Sequence, residues 1–251
     1  MNSSNYQCSM FNDQFSMLYR LYQILVLVPV VILSSMWAGT TMAVMCRISR
    51  HPDWWSSFAS KWWARIILAA ALIKVEVKGR EHIVKGETYI FAANHQGAFD
   101  IFLVCGYLGV KFRWMMKRAL EKVPFLGWGC KHAGYVFVDN SNPGAVRRTY
   151  RQAEQILLSG MSIAMFPEGS RSSTGKMQPF RKGAFALAEE TKMPVVPMTI
   201  NGSYEILPKG KKLRFITRHK LSLTIHKPIF FEDGEALREE CYRSILSALE
   251  E

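Results

Sequence analysis

Thr88-Tyr89-Ile90-Phe91-Ala92-Ala93-Asn94-His95-Gln96-Gly97-Ala98-Phe99-Asp100 decides how this 251-residue chain is built. Thr88 to Ala93 is a short apolar run of the kind that forms a buried strand, and it ends at Asn94. A helix is predicted to open near Phe99 or Asp100, so that strand passes into helix through a loop carrying His95. The alternation continues downstream. Tyr135 to Val138 reads as a strand, and Pro143 starts a helix carrying Val146, Tyr150, Ala153, Ile156 and Leu157 until Gly160 stops it. Ser162 to Phe166, Val195 to Ile200 and Leu221 to Ile225 add strands, and Phe185 to Thr191 continues a helix. Strands alternating with helices predict an α/β fold, a layered mixed sheet flanked by helices. The sequence contains no internal repeat and no low-complexity linker.

Before Val75 the pattern is different. Leu21 to Cys46 is almost uncharged and long enough to cross a bilayer, for which about 20 mainly apolar residues suffice. Pro29 and Gly39 are expected to interrupt it. The run is too long, and starts too far from Met1, for a cleaved secretory signal. Arg47, Arg50, Lys61 and Arg65 follow it while only Arg20 stands close on the other side, so a spanning helix leaves the rest of the chain cytoplasmic. Trp54 to Ile73 mixes Trp54, Trp55, Trp62 and Trp63 with Lys61 and Arg65, which suits an interfacial helix with its rings at headgroup level. Two arrangements fit: a transmembrane helix followed by an interfacial one, and a two-helix hairpin dipping into one leaflet. A buried helix of a soluble core accounts less well for so long an apolar run. The expected organisation is a membrane-embedding helical segment, 1–74, and a catalytic domain, 75–251.

The chemistry-bearing residues sit in two segments. His95 offers an imidazole that takes a proton near neutral pH, and Asp100 a carboxylate to fix its tautomer. Phe166-Pro167-Glu168-Gly169-Ser170-Arg171 offers a guanidinium and a glycine turn suited to an anion. Both segments follow strands, and the carboxyl ends of strands are where open α/β sheets bind ligands. An isolated His-x4-Asp is more often a core histidine satisfied by its acid; further blocks are needed to reverse those odds.

They are present. Lys117 through Pro124-Phe125-Leu126-Gly127, then Tyr135-Val136-Phe137-Val138-Asp139, and Val195-Val196-Pro197-Met198-Thr199-Ile200 accompany the first two. In this order the blocks resemble the glycerolipid acyltransferase family, and most nearly its bacterial 1-acylglycerol-3-phosphate acyltransferases, from about Val75 to about Pro228. The resemblance implies transfer of an acyl chain from acyl-CoA or acyl carrier protein (acyl-ACP) to the free hydroxyl of a lysophospholipid acceptor, 1-acyl-sn-glycerol-3-phosphate, at the cytoplasmic side of a bacterial inner membrane. His95 and Asp100 inherit the catalytic roles, and Lys117, Glu168, Gly169, Ser170 and Arg171 those of acceptor binding. Backbone N–H groups near His95 or Lys117 are the candidates for stabilising the oxyanion. A thiolate leaves readily, so neither a covalent acyl-enzyme nor a cofactor beyond the donor is expected. Ala119 stands where many members carry glutamate, and Asn140 follows Asp139 where arginine is common, which leaves room for another acceptor such as a lyso-ornithine lipid or a different lysophospholipid.

A formal net charge of +12 implies anionic partners: lipid headgroups, coenzyme A phosphates, an acidic carrier protein or nucleic acid. No recognition helix or aromatic platform speaks for nucleic acid, and no G-x-S-x-G elbow for a serine hydrolase. Cys8, Cys46, Cys105, Cys130 and Cys241 are odd in number and form no C-x-x-C pair, so neither a disulfide framework nor a metal site is expected. Cys105 is expected to pack on an apolar helix face, and Asp139 to hold a loop. Lys209, Lys211, Lys212, Arg214, Arg218 and Lys220 read as a solvated face able to touch anionic lipid. The contrasting class is a non-catalytic, membrane-bound protein that holds an anionic lipid.

Overall fold

The computed structural model describes residues 17–210, 215–230 and 233–250. Cys8, Lys211, Lys212 and Arg214 lie outside the described residues. The chain opens with two helices, α1 (Met17–Ile48) and α2 (Pro52–Ala70). There follow β1 (Val75–Lys78), β2 (Ile90–Ala93), α3 (Phe99–Tyr107), β3 (Phe112–Lys117), α4 (Leu126–His132), β4 (Val136–Val138), α5 (Pro143–Leu158), β5 (Ser162–Met165), α6 (Gly183–Thr191), β6 (Val195–Asn201), α7 (Ser203–Ile206), β7 (Leu221–Ile225) and α8 (Gly234–Leu246).

The seven strands form one sheet in the order β1-β7-β6-β2-β5-β3-β4. The β6–β7 pairing is antiparallel and the others are parallel, so the sheet is mixed, as the sequence predicts. In β2 the period-two alternation sends Phe91 and Ala93 into one core and Ile90 and Ala92 into the other. The first core is closed by α1, α2, α3 and α4, and the second by α5, α6 and α8. With both faces covered, β2, β5 and β6 bury every residue, which explains their unbroken apolar runs.

Two expectations for the N-terminal segment need correction. Pro29 and Gly39 do not break α1, which runs through both. Proline at position 29 removes an N–H and crowds the carbonyl one turn earlier, and the helix absorbs this as a π-helical turn over Gln23–Leu27. Gly39 is where another backbone comes close: a Cβ there would lie 2.4 Å from the Phe125 carbonyl oxygen. The aromatic and basic residues of α2 do not all face outward, either. Trp54 and Trp62 are exposed, but the Trp63 indole donates to Ser35 Oγ (3.0 Å) and its ring packs on Phe102. Arg65 turns inward to the Gly106 carbonyl (2.9 Å) and the Tyr107 ring.

Candidate active site

Register places the two candidate loops side by side. Ala92 pairs with Met165, so the chain leaves β2 toward His95 beside the point where it leaves β5 toward Phe166. The His95 and Phe166 rings stack at 3.9 Å, and Trp114 of β3 backs Phe166 at 5.1 Å.

Asp100 lies in the first turn of α3 and is wholly buried. Its Oδ2 accepts from His95 Nδ1 (2.7 Å) and from the backbone N–H groups of Gln96 (2.8 Å) and Gly97 (2.9 Å). Three donors on one oxygen are the surroundings of a carboxylate, and they assign the Nδ1 proton to His95, leaving the Nε2 lone pair for a substrate. The His95 side chain is 13 % exposed, so it is packed on its sides yet reachable. Asp100 Oδ1 is buried without a partner among the described residues.

Glu168 braces this arrangement. Its Oε1 accepts from the His95 backbone N–H (2.7 Å) and its Oε2 from that of Gln178 (2.9 Å), which ties the loop after β5 to the one after β2. Ser172 N–H donates to the His95 carbonyl (2.8 Å) and Gln96 Nε2 to that of Gly175 (3.0 Å). Glu168 therefore shapes the site through the backbone, its oxygens being already engaged. Burial pushes its carboxyl up to about 7 against the opposing pull of those two N–H groups.

Glu168→Gln is expected to lower unfolding free energy by about 1–3 kcal/mol, because an amide nitrogen cannot accept and one buried N–H loses its acceptor. The carboxyl also ties stability to pH. Its folded pKa lies above the ordinary 4.5, so its stabilisation is full below about pH 4.5 and is lost as pH rises through about 7. Urea titrations from pH 4.5 to 8 should find that decline in the parent protein and not in the glutamine variant.

The remaining candidates ring this centre. Gly169 has φ of +75°, the left-handed turn that favours glycine, and a Cβ there would meet Arg181 Nε at 2.7 Å. Ser170 and Arg171 follow it, half-buried, with no side-chain partner among the described residues. Lys117 ends β3 and is exposed at the same edge of the sheet, one strand beyond β5. Asp139 holds a loop, as expected, through Ser141 N–H (3.0 Å) and Arg118. Cys105 is buried with the Trp114 indole 3.1 Å from its sulfur, and burial pushes its thiol up to about 12, too high for a nucleophile.

Sequence reasoning missed two residues of consequence. Asn94 donates to the Ile200 carbonyl (2.8 Å) and accepts from the Ile200 N–H (2.7 Å), clamping the end of β2 to β6. An asparagine closing an apolar strand was the available signal. Gly97 was equally silent, though a Cβ there would lie 2.3 Å from Ser203 Oγ, so only glycine lets the loop pass α7.

Comparison with known proteins agrees with this geometry. The family model described as Acyltransferase matches residues 74–201. A chloroplastic 1-acyl-sn-glycerol-3-phosphate acyltransferase of Brassica napus is 30% identical over 193 residues, 76% of this chain and 55% of that protein. The 1-acyl-sn-glycerol-3-phosphate acyltransferase of Saccharomyces cerevisiae is 30% identical over 200 residues, 78% of this chain and 64% of that one. The crystal structure of the 1-acyl-sn-glycerophosphate (LPA) acyltransferase PlsC from Thermotoga maritima superposes with a TM-score of 0.77 at 27% identity, covering 92% of this chain and 96% of that chain. The chain spans about half the length of the chloroplastic relatives it matches.

Proposed function

The chain belongs to the acyltransferase family, and from that premise we propose that it acylates 1-acyl-sn-glycerol-3-phosphate, using an acyl thioester, to give phosphatidic acid for phospholipid synthesis. The observation that carries this is the His95 Nδ1 to Asp100 Oδ2 pair at 2.7 Å, with Nε2 free of partners among the described residues beside the Phe166–Arg171 loop. In the proposed reaction Nε2 takes the proton of the acceptor hydroxyl as that oxygen attacks the thioester carbonyl. The tetrahedral intermediate collapses, the C–S bond breaks, and the thiolate recovers the proton from the imidazolium. Asp100 stabilises the transient cation, as the acid does in a catalytic triad. A thiol with a pKa of about 8.5 is a good leaving group, so the donor, acyl-CoA or acyl-ACP, is the only carrier the reaction requires.

We assign the acceptor phosphate to Arg171 and Lys117, two rim cations whose side chains have no partner among the described residues, with Gly169 and Ser170 letting the backbone approach. Arg171→Ala is expected to raise the KM for 1-acylglycerol-3-phosphate about 10–100-fold, the worth of a charge-assisted hydrogen bond, with kcat moving far less. The reading as a whole is tested by thiol release in detergent with acyl-CoA, and then acyl-ACP. Lysophosphatidic acid, a larger-headgroup lysophospholipid, a lyso-ornithine lipid and no acceptor are compared. Preference for another acceptor would keep the chemistry and replace the substrate; silence with every pair would leave a lipid-binding protein.

α1 is long and apolar enough to cross a membrane by length and composition. Its contacts favour the hairpin over a crossing. The Gln23 amide exchanges two hydrogen bonds with the Ile216 backbone (2.9 and 2.8 Å), and Gly39 abuts Phe125 and Gly129. These anchor points are about 24 Å apart along the helix, and both lie on the sheet domain. A helix held to one body at both points lies along it, leaving Leu25, Ile32, Leu33 and Met36 facing outward. We propose that α1 and α2 rest in the cytoplasmic leaflet of a bacterial inner membrane, with the catalytic domain in the cytoplasm.

A further inference from the structure

Phe125 is held in a conformation that non-glycine residues avoid. With φ of 61° and ψ of −51° it forms the centre of a γ-turn closed by Leu126 N–H to the Pro124 carbonyl (2.7 Å). Such strain persists only where the surroundings enforce it, and it clusters at functional sites. The enforcement is visible. The turn is pressed on the Gly39 backbone, and a Cβ at Gly129 would lie 2.8 Å from the Gly39 carbonyl, so α4 and the turn touch α1 backbone to backbone.

The turn leaves large apolar groups in solvent. Phe125 is 39 % exposed and Trp128 47 %, with Val123 and Pro124 exposed beside them. Met36, one turn before Gly39 on α1, is exposed as well, so the patch continues the outward apolar face of that helix. Lys122 stands exposed at its margin, with no ion pair among the described residues. Apolar rings rimmed by a lysine, docked on a helix long and apolar enough to cross a membrane, have the make-up of a membrane-interface contact.

We propose that the 122–128 turn and α4 form a third membrane-inserting element, in which Phe125 and Trp128 enter the same leaflet as α1. The catalytic domain then rests on lipid directly as well as through its N-terminal helices. Lys117, which heads the segment leading into this turn, is thereby held at headgroup depth. A lipid acceptor reaches it by moving sideways within the leaflet.

Depth and turnover test this separately. In a background with Cys8 and Cys46 replaced by serine, a nitroxide at Trp128→Cys is expected to enter the acyl region of phosphatidylethanolamine–phosphatidylglycerol vesicles. The same label at Arg151→Cys, on the helix covering the opposite face of the sheet, should stay in water. Phe125→Gly adopts the strained φ freely, which offsets the lost packing of the ring and the greater unfolded-state entropy of glycine, so the variant should remain folded at assay temperature. Its kcat/KM for vesicle-embedded acceptor should fall about tenfold while detergent-dispersed acceptor is turned over within about twofold, the contrast expected of an interfacial anchor. A water-exposed label at 128, or equal losses on both acceptor forms, overturns the proposal. So does a label shielded only in a dimer without vesicles, which would give this face to a second copy of the chain. The kinetic arm rests on the proposed acyl transfer and the depth arm does not: a lipid-buried label on a protein that transfers to no acceptor would overturn the function alone.

Discussion

His95→Ala is expected to reduce acyl transfer by about 10²–10⁴-fold, the range a positioned general base contributes. The loss should fall on kcat. Nothing in the geometry gives the ring a part in holding the acceptor phosphate, so KM should stay within a few-fold. The loop should survive the change because its main chain is fixed independently: the His95 N–H by Glu168, its carbonyl by Ser172, and the neighbouring amides by Asp100. The ring's stack on Phe166 is lost, leaving a small gap beneath Trp114. Thiol release under saturating donor and acceptor, with circular dichroism to confirm folding, decides the matter. Retention of more than about a tenth of parental turnover would remove His95 from proton transfer, since that is outside the range for a base.

Asp100→Asn is expected to cost a comparable 10²–10⁴-fold in turnover and, in addition, about 1–3 kcal/mol of stability. The substitution is nearly isosteric, so shape is not the cause. With the amide oxygen in the place of Oδ2, the three hydrogen bonds can be kept, but an NH₂ group then fills the buried Oδ1 position, where no acceptor is found among the described residues. With the amide flipped, the NH₂ faces the Gln96 and Gly97 N–H groups and the histidine is pushed into the wrong tautomer. Either way the negative charge that stabilises the imidazolium is gone. Rate and urea midpoint measured on the same preparation separate the two effects: a variant as active as the parent protein would show that Asp100 serves the fold alone.

The strands through the middle of the sheet were legible because burial on both faces leaves an apolar run with little competing pattern. β2, β5 and β6 fall within a residue or two of their predicted limits, and β7 coincides with its own. β1 and β3 were not legible. Val75-Glu76-Val77-Lys78 lies at the sheet edge and mixes charge into a four-residue strand, and Phe112-Arg113-Trp114-Met115-Met116-Lys117 begins and ends among cations. Within the site, the His95 and Asp100 spacing was readable since five residues bring a loop imidazole back over the first turn of its own helix. The roles of Asn94 and Glu168 were not, because their partners are backbone groups supplied by the distant Ile200 and Gln178. Side-chain identity carries no trace of such a partner until the fold brings it near.

The bond between Gln23 and Ile216 joins residues 193 positions apart. During synthesis at about 5–20 residues per second, Gln23 is made about 10–40 s before its partner Ile216 exists. The part of the α1 docking face around Gln23 is uncovered for that interval, far longer than the microseconds in which a helix forms. The order of assembly is therefore set by the chain itself: α2 and then α4 reach α1 first, and the segment around Ile216 closes onto a helix already in place. A circular permutant that moves residues 1–74 to the carboxyl terminus would reverse that order while keeping every contact.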